Sequence, residues 1–435
     1  MRILFISGEL IGSAVVHQLI KEGNDVKLYI EHPDRAECFD GMVAKTRNWR
    51  KELKWVGKDG LIVFDDIIFK GAQEKLRAKG YRVIGGDSRS DKLEDDRHYF
   101  QSILKKYKMP ILPHIGFDTP DEAIRYIKRR RGMWVVKQNS HIGMLNYVGE
   151  REDSEDVLDV LELYKEKKIK GIHLQKRALG IEIGVGRYFN GKDWVGPIEI
   201  NIEHKPLFNG DIGPLTGEMG TVMWYSKDEN MRLYAETLKK LKPYLQEIEY
   251  KGDIDINCIV NEDGIWPLEA TMRFGTPAAE LQCHLHNSPW SEFLTALADG
   301  ESYELDFMKG YGVVVSVGVP PFPFAPEYFG DTKMQTSKGV GISFTDDITE
   351  DDLSRIHFEE VAKQRLSNGK ERFYLAGKHG YALYVTGHGS TVKKAREEAY
   401  ATIRKIIIPK MFYRTDIGEK FIRTDRRLLK EWGII

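Results

Sequence analysis

Short apolar runs alternate with amphipathic helical runs at the start of this chain. That alternation limits the architecture more than any other feature. RILFI (2–6) leads through a loop, Ser7 to Gly12, into SAVVHQLIKEGN, whose apolar residues recur at helical spacing until Gly23 and Asn24 stop it. DVKLYI, GLIVFDD (60–66), a helix from about 71 and YRVIGG (81–86) repeat the pattern. Strand–helix–strand order implies a parallel sheet covered by helices, expected over residues 1–95.

The pattern then changes. A charged helix over 91–107 leads to Pro110 and Pro113 and into a second region, 96–305. Helices are expected over 120–131, 153–168, 227–248 and 288–299. MWVVKQ (133–138) reads as a strand, and 172–176, 181–189 and 194–201 read as strands of a largely antiparallel sheet. DIDINCIV (253–260) and GIWPLEA (264–270), joined by NEDG, read as a hairpin. A third region, 306–435, has the strands GYGVVVSVG and HGYALYVTGHG and the helix TVKKAREEAYATIRKII, giving an α+β character.

Composition excludes several classes. Of 435 residues, 65 are Lys or Arg and 66 Asp or Glu, so a net charge of −1 argues against a general polyanion binder and no nucleic-acid partner is expected. No apolar run approaches the ~18 residues a membrane helix needs. Cys38, Cys258 and Cys283 are too far apart for a disulfide framework or a CxxC zinc site. MRILFISGEL does not read as a secretory signal, so a cytoplasmic protein acting on small molecules is expected.

Three segments carry candidate chemistry. Gly210 to Gly220 (GDIGPLTGEMG) holds four glycines and a proline, which excludes a helix interior or a central strand. Such a loop either cradles an anion on its backbone N–H groups, helped by the Thr216 hydroxyl and by Lys205 just upstream, or is a structural turn. In the hairpin, Asp253 and Asp255 share one face, as do Glu269, Thr271 and Arg273. Pairing is expected to bring Asp255 near Glu269, an arrangement suited to a divalent cation bridging phosphates, or to two solvated acids. Arg273 is suited to a bidentate carboxylate clamp. Lys137 ends an apolar strand and points at a phosphate or snorkels, and Glu182 in LGIEIGVG could accept ribose hydroxyls or pair with a cation.

Together these segments resemble the ATP-grasp ligases, and more closely the glycinamide ribonucleotide synthetase (phosphoribosylamine–glycine ligase) family. GGDSRSDKLEDDRHYF (85–100), GDIGPLTGEMG, LEATMRFGTPAAE (268–280), AGKHGYALYVTGHGSTVKKAREEAYATI and FYRTDIG (412–418) match the family in order. The resemblance implies an ATP-grasp fold with an N-terminal Rossmann-like domain, 1–95. An ATP-grasp domain, 96–305, follows, with a small lid over about 132–185, and then a C-terminal α+β domain, 306–435. It implies a purine-pathway ligase that uses ATP and Mg²⁺, with Mn²⁺ as a substitute, to join glycine to phosphoribosylamine through an acyl phosphate.

Residue by residue, the resemblance places Lys137 and Arg97 at ATP phosphate, Gln175 to Leu179 at the adenine hinge and Glu182 at ribose. Glu269, Asp255 and Thr271 fall at the metal. Arg273, Asp211 and the loop Thr216-Gly217 to Gly220 fall at glycine or its acyl phosphate, with Lys205 beside them. Gly8, Gly12 and Ser13 fall in the loop that receives the amine. The departures are local. Arg97 stands for a lysine, Thr271 for an asparagine, Thr276 for an aspartate and Glu218 for a glycine. The loop after Lys137 is shortened to Gln138–Gly143, and SGELIGSA replaces the family's G-x-G-G-R-E-H-A. A different amine acceptor, or a nucleotide-binding relative without catalysis, is the alternative.

Overall fold

The structure is a computed structural model that describes residues 1–138, 146–324 and 336–435. The shortened loop after Lys137 lies outside the described residues from 139 onward.

The opening alternation folds as expected. Five parallel strands stand in the order 44–45, Asp25–Ile30, Arg2–Ser7, Leu61–Phe64, Arg82–Ile84. Ile3, Phe5, Leu61 and Val63 are fully buried, as central strands covered on both faces require.

A small antiparallel sheet follows, ordered His114–Phe117, Ile172–Lys176, Trp134–Gln138, Tyr147–Val148. Helices Pro120–Arg129 and Glu155–Glu166 bury Ile124, Ile127, Val157 and Leu161 against it in a separate apolar cluster. The strand 172–176 therefore belongs here, while 181–190 and 194–203 belong to a larger sheet.

That larger sheet has eight strands. Their order is Ile265–Thr271, Lys251–Val260, Ile181–Asn190, Trp194–Glu203, Gly220–Ser226, Tyr311–Gly318, Tyr381–Gly389, Ile356–Phe358. All its pairings are antiparallel. Strands from both sides of residue 305 share it. One face carries Ile181, Ile183, Val185, Ile198, Ile200, Ile202, Ile254 and Ile256 into the main core. The alternate residues are polar, so the opposite face is free to carry chemistry.

Two expected helices are broken. The 91–107 segment forms Ser88–Asp95 and Arg97–Lys106, because Asp96 is extended and its carboxylate caps the second helix by accepting from the Tyr99 N–H at 3.0 Å. The 227–248 segment forms Arg232–Glu236, a 3₁₀ turn Leu238–Leu241 and Lys242–Glu247. Thr237, at φ −122° and ψ −97°, leaves helical geometry, and Pro243 restarts the chain in the first turn of the last piece. No helix among the described residues is long and apolar enough to cross a membrane.

Candidate active site

The polar face of the large sheet is built from three strands of period-two sequence: IEIG (181–184), IEINIE (198–203) and DIDIN (253–257). Register stacks them in rows. Thr271, Asp255, Gly186 and Glu199 form one row; Glu269, Asn257, Gly184 and Asn201 form the next. The central strand contributes glycines to both rows. A Cβ on Gly184 would lie 2.1 Å from Asn201 Oδ1, and one on Gly186 would lie 3.1 Å from Asp255 Oδ2. The missing side chains form a trough across which Asn201 Nδ2 donates to Asp255 Oδ2 at 2.9 Å.

One end of the trough is a charge cluster. Lys205 Nζ meets Glu182 at 2.7 Å, Glu269 at 2.9 Å and Glu203 at 3.0 Å. Asn257 Nδ2 donates to Glu182 at 2.9 Å and to Glu203 at 2.8 Å. Lys205, beside it, holds the Glu269 carboxyl down to about 2. At the other end Gln282 bridges Glu199 (2.8 Å) and Asp253 (2.9 Å). Burial, with Asp253 adding repulsion, pushes the Glu199 carboxyl well up. A cavity of about 150 Å³ opens on this trough, lined by Glu203, Lys205, Gly217, Glu218, Asp255, Glu269 and Arg273 among others.

The small sheet supplies the opposite wall. Lys137 lies opposite His173 in register. Burial, with Arg97 adding repulsion, lowers its ammonium to about 8. Arg97, at the start of its helix, donates to Gln175 Oε1 at 3.2 Å. His98, His114 and His173 cluster beside them, with the rings of His114 and His173 stacked 4.9 Å apart. Glu269 acts electrostatically on both Arg97 and Lys137, so the cationic wall and the carboxylate trough are neighbours. Leu179, in the connector between the sheets, is exposed, and its carbonyl accepts from Asn261 Nδ2 at 2.9 Å.

The expected residues thus separate into those that converge and those that do not. Lys205, Glu182, Asp255, Glu269, Thr271, Arg273 and Gly217 line or border the trough, facing Lys137 and Arg97. The Asp255 register differs from expectation: its partner is Thr271, and Asn257 is the residue opposite Glu269. A bulge at Asn257–Cys258 offsets the hairpin. Asp211 does not reach the trough. The first half of the glycine-rich segment is an exposed hairpin, Pro206–Phe208 with Ile212–Leu215, and Asp211 pairs with Arg414 at 2.9 Å. Arg414 also holds Asp416, which accepts the Gly210 N–H at 2.7 Å. Thr216 spends its N–H and its hydroxyl on the Lys205 carbonyl, at 2.9 and 2.7 Å, so it shapes the loop and offers neither donor to an anion. Arg273 is engaged by Glu94 at 2.9 Å and by the Phe274 carbonyl at 3.0 Å.

The loop expected to receive the amine is occupied from within. The Gly8 and Gly12 N–H groups donate to the two Asp65 carboxylate oxygens, at 3.1 and 2.9 Å, and the Ser7 hydroxyl adds 2.7 Å. Ser13 donates to Glu359 at 2.8 Å. Asp65 is fully buried, and burial with Asp66 nearby raises its carboxyl to about 7.

Sequence reasoning did not single out Glu199, Asn201, Asn257, Glu94 or Asp65. The first three were legible in the alternation of IEINIE with DIDIN. The other two act through contacts across the fold, with no local signal.

Among the described residues no group of three or more His, Cys, Asp or Glu is disposed to hold a metal alone. The donors nevertheless suit Mg²⁺, which takes one or two carboxylates and completes its shell with phosphate oxygens and water. Glu269 supplies a carboxylate, and Asn257 Oδ1 opposite it is buried without a hydrogen-bond partner among the described residues.

Two sheets facing each other, one with cations and one with a carboxylate row, define an ATP-grasp protein. Residues 95–279 match the ATP-grasp (A) domain of phosphoribosylglycinamide synthetase, and 334–420 match its C domain. The chain belongs to that family. It is 23% identical to the phosphoribosylamine–glycine ligase of Caldanaerobacter subterraneus subsp. tengcongensis over 436 aligned residues, 96% of this chain and 99% of the relative. The crystal structure of phosphoribosylamine–glycine ligase from Thermotoga maritima superimposes with a TM-score of 0.69 at 21% identity, covering 96% of this chain and all of that one. The biotin carboxylase domain of Hydrogenobacter thermophilus 2-oxoglutarate carboxylase, solved with MgADP and bicarbonate, gives 0.63 at 14% identity, covering 99% and 97%.

Proposed function

We propose that this chain is an ATP-dependent carboxylate–amine ligase acting through an acyl phosphate. The observation that carries the reading is the pairing of Lys137 and Arg97 on one sheet with the Glu182–Glu203–Glu269–Lys205 cluster on the other. Phosphoryl transfer needs positive charge on the transferring oxygens and fixed geometry more than it needs covalent chemistry. Lys137 and Arg97 supply that charge at the phosphates. Glu269, with Asn257, would hold Mg²⁺, which neutralises charge on phosphate oxygens when bound. Glu182 serves the ribose hydroxyls, and the connector at Leu179 the adenine.

The substrate carboxylate attacks the γ-phosphorus and ADP leaves. An amine then attacks the acyl carbon and phosphate leaves. Arg273, between the trough and the next cavity, orients the carboxylate. Glycine with phosphoribosylamine is the finer candidate, because the relatives' names carry that pair. A different amine is the second reading, favoured by Asp65 taking the Gly8 and Gly12 N–H groups that the phosphate of phosphoribosylamine would need in the acceptor loop.

The test is ADP release with ATP, Mg²⁺ and each of the twenty amino acids, with and without phosphoribosylamine generated in situ. Turnover that needs a carboxylate and an amine is expected, and Glu269→Ala should lower it on the order of 10²-fold. Nucleotide binding without any turnover would mean a binding protein on a ligase scaffold.

A further inference from the structure

A second cavity, about 230 Å³, adjoins the trough and shares Gly217, Glu218, Arg273 and Thr276 with it. Its walls come from the first strand–helix loop, the end of the glycine-rich segment and the C-terminal region, through Glu9, Arg35, Glu218, Arg273, Glu359 and Tyr381. Its position beside the trough is where a second substrate must enter to reach an acyl group held there.

Its charge is opposite to that of a phosphate site. Neither of its two cations is left for a phosphate, since Arg273, on the reading above, also serves the substrate carboxylate. Arg35 is 6% exposed, pairs with Glu359 at 2.7 Å and Glu360 at 3.5 Å, and lies over the Tyr381 ring. Arg273 is held by Glu94. The backbone N–H groups of Gly8 and Gly12, the natural anion donors at the start of this helix, are taken by Asp65. A phosphate there would have to displace a buried carboxylate while facing Asp66 and Glu9. Two carboxylates have a cation within electrostatic reach, Arg35 for Glu9 and Lys205 for Glu218, but make no ion pair among the described residues. Glu9 is exposed at the rim and its side chain makes no hydrogen bond among the described residues. Glu218 is 7% exposed, and its Oε1 is buried with no hydrogen-bond partner among the described residues. The Glu218 side chain lines both cavities, and a buried carboxylate oxygen is costly to leave unpaired.

The geometry points to this second cavity as the site of the acceptor amine, and to that amine as a cation without phosphate, held by Glu218 at the junction and by Glu9 at the rim. The cavity has room for a short alkyl diamine. The inference rests on the ligase reading above for the reaction but not for the binding. In the reaction, Glu218 accepts one proton from the ammonium and frees the nitrogen lone pair, which forms the bond to the acyl carbon. The bond from that carbon to the phosphate oxygen breaks, and the phosphate leaves with the electron pair and takes the second proton of the nitrogen.

The experiment uses the full chain with ATP, Mg²⁺ and the amino-acid panel, and three nucleophiles: hydroxylamine, putrescine and phosphoribosylamine. Hydroxylamine traps an acyl phosphate as a hydroxamate whatever the natural acceptor. Putrescine should stimulate ADP release with a lower KM than phosphoribosylamine. Glu218→Gln should raise the putrescine KM at least tenfold, and Glu9→Gln severalfold. Hydroxamate formation with no stimulation by putrescine, a lower KM for phosphoribosylamine, or a putrescine KM unmoved in Glu218→Gln each overturns the inference. No hydroxamate with any amino acid removes the ligase reading instead. Calorimetry with putrescine alone then decides the site: binding weakened tenfold by Glu218→Gln supports it, and no binding overturns it.

Discussion

At the residue scale, two side chains report on the site independently. Lys137 is an ammonium below about 8 and neutral above, because burial, helped by Arg97, disfavours its charge. In the proposed reaction the charged form meets the phosphates, so kcat/KM for ATP should fall as pH rises through about 8. Bound ATP favours the ammonium, so the same limb in kcat should move to higher pH. Lys137→Arg should remove the limb, since a guanidinium stays charged. A flat wild-type profile from neutral to alkaline pH would take Lys137 off the phosphates. Gly184 tests the trough. Its Cβ would overlap Asn201, so Gly184→Ala should break the Asn201–Asp255 bond and cost about 1–3 kcal/mol, read as a lower urea midpoint, together with a loss of ADP release. Asp255 and Glu269 were legible as candidates because polar residues at period-two spacing share a face, and Glu182 because it interrupts an apolar strand and matches the family motif. That Lys205 would gather Glu182, Glu203 and Glu269 was not legible, since the contacts span strands far apart in sequence.

At the element scale, the strands were more legible than the long helices. Alternation with β-branched residues marked the sheet strands, and the apolar face of IEINIE did enter the core. The helix expected over 91–107 reads as continuous because charge and apolar spacing run through Asp96. The break comes from that residue's preference for capping over helical geometry. It also decides where Arg97 sits, at the first turn and within reach of Gln175. Asp96→Ala should cost about 1 kcal/mol of stability and raise the KM for ATP, whereas Asp96→Ser, which keeps a cap, should do neither. Chemical denaturation paired with steady-state kinetics on both variants reads the two effects. The glycine-rich segment shows the converse. Its composition excluded helix and central strand, but whether it cradled a ligand was decided by Arg414 and Asp416, which anchor its first half to the C-terminal segment.

At the scale of the whole molecule, the large sheet joins what the sequence divides. Val313, Val314 and Val315 pair with Val222, Thr221 and Gly220, so the strands after residue 305 cover an edge of the strands before it. A fragment ending at 305 would expose that edge and the apolar residues packed on it. Expressed alone, residues 1–305 should aggregate or lack a cooperative melt by circular dichroism, while the full chain melts cooperatively. A soluble, cooperatively folding fragment would show that the two parts fold separately. The sequence by itself determined the parallel opening sheet, the antiparallel strands that follow, the family and most of the acidic and basic candidates that converge on the trough. Each of these rests on local periodicity or on short motifs, which neighbouring residues specify. Only the tertiary structure decided that Asp65 fills the first loop, that Asp211 turns away to Arg414, that Asn257 stands opposite Glu269, and that a carboxylate-walled cavity lies beside the trough. Those are matters of register, of glycine troughs and of charges brought together from distant strands, and no short stretch of sequence encodes them.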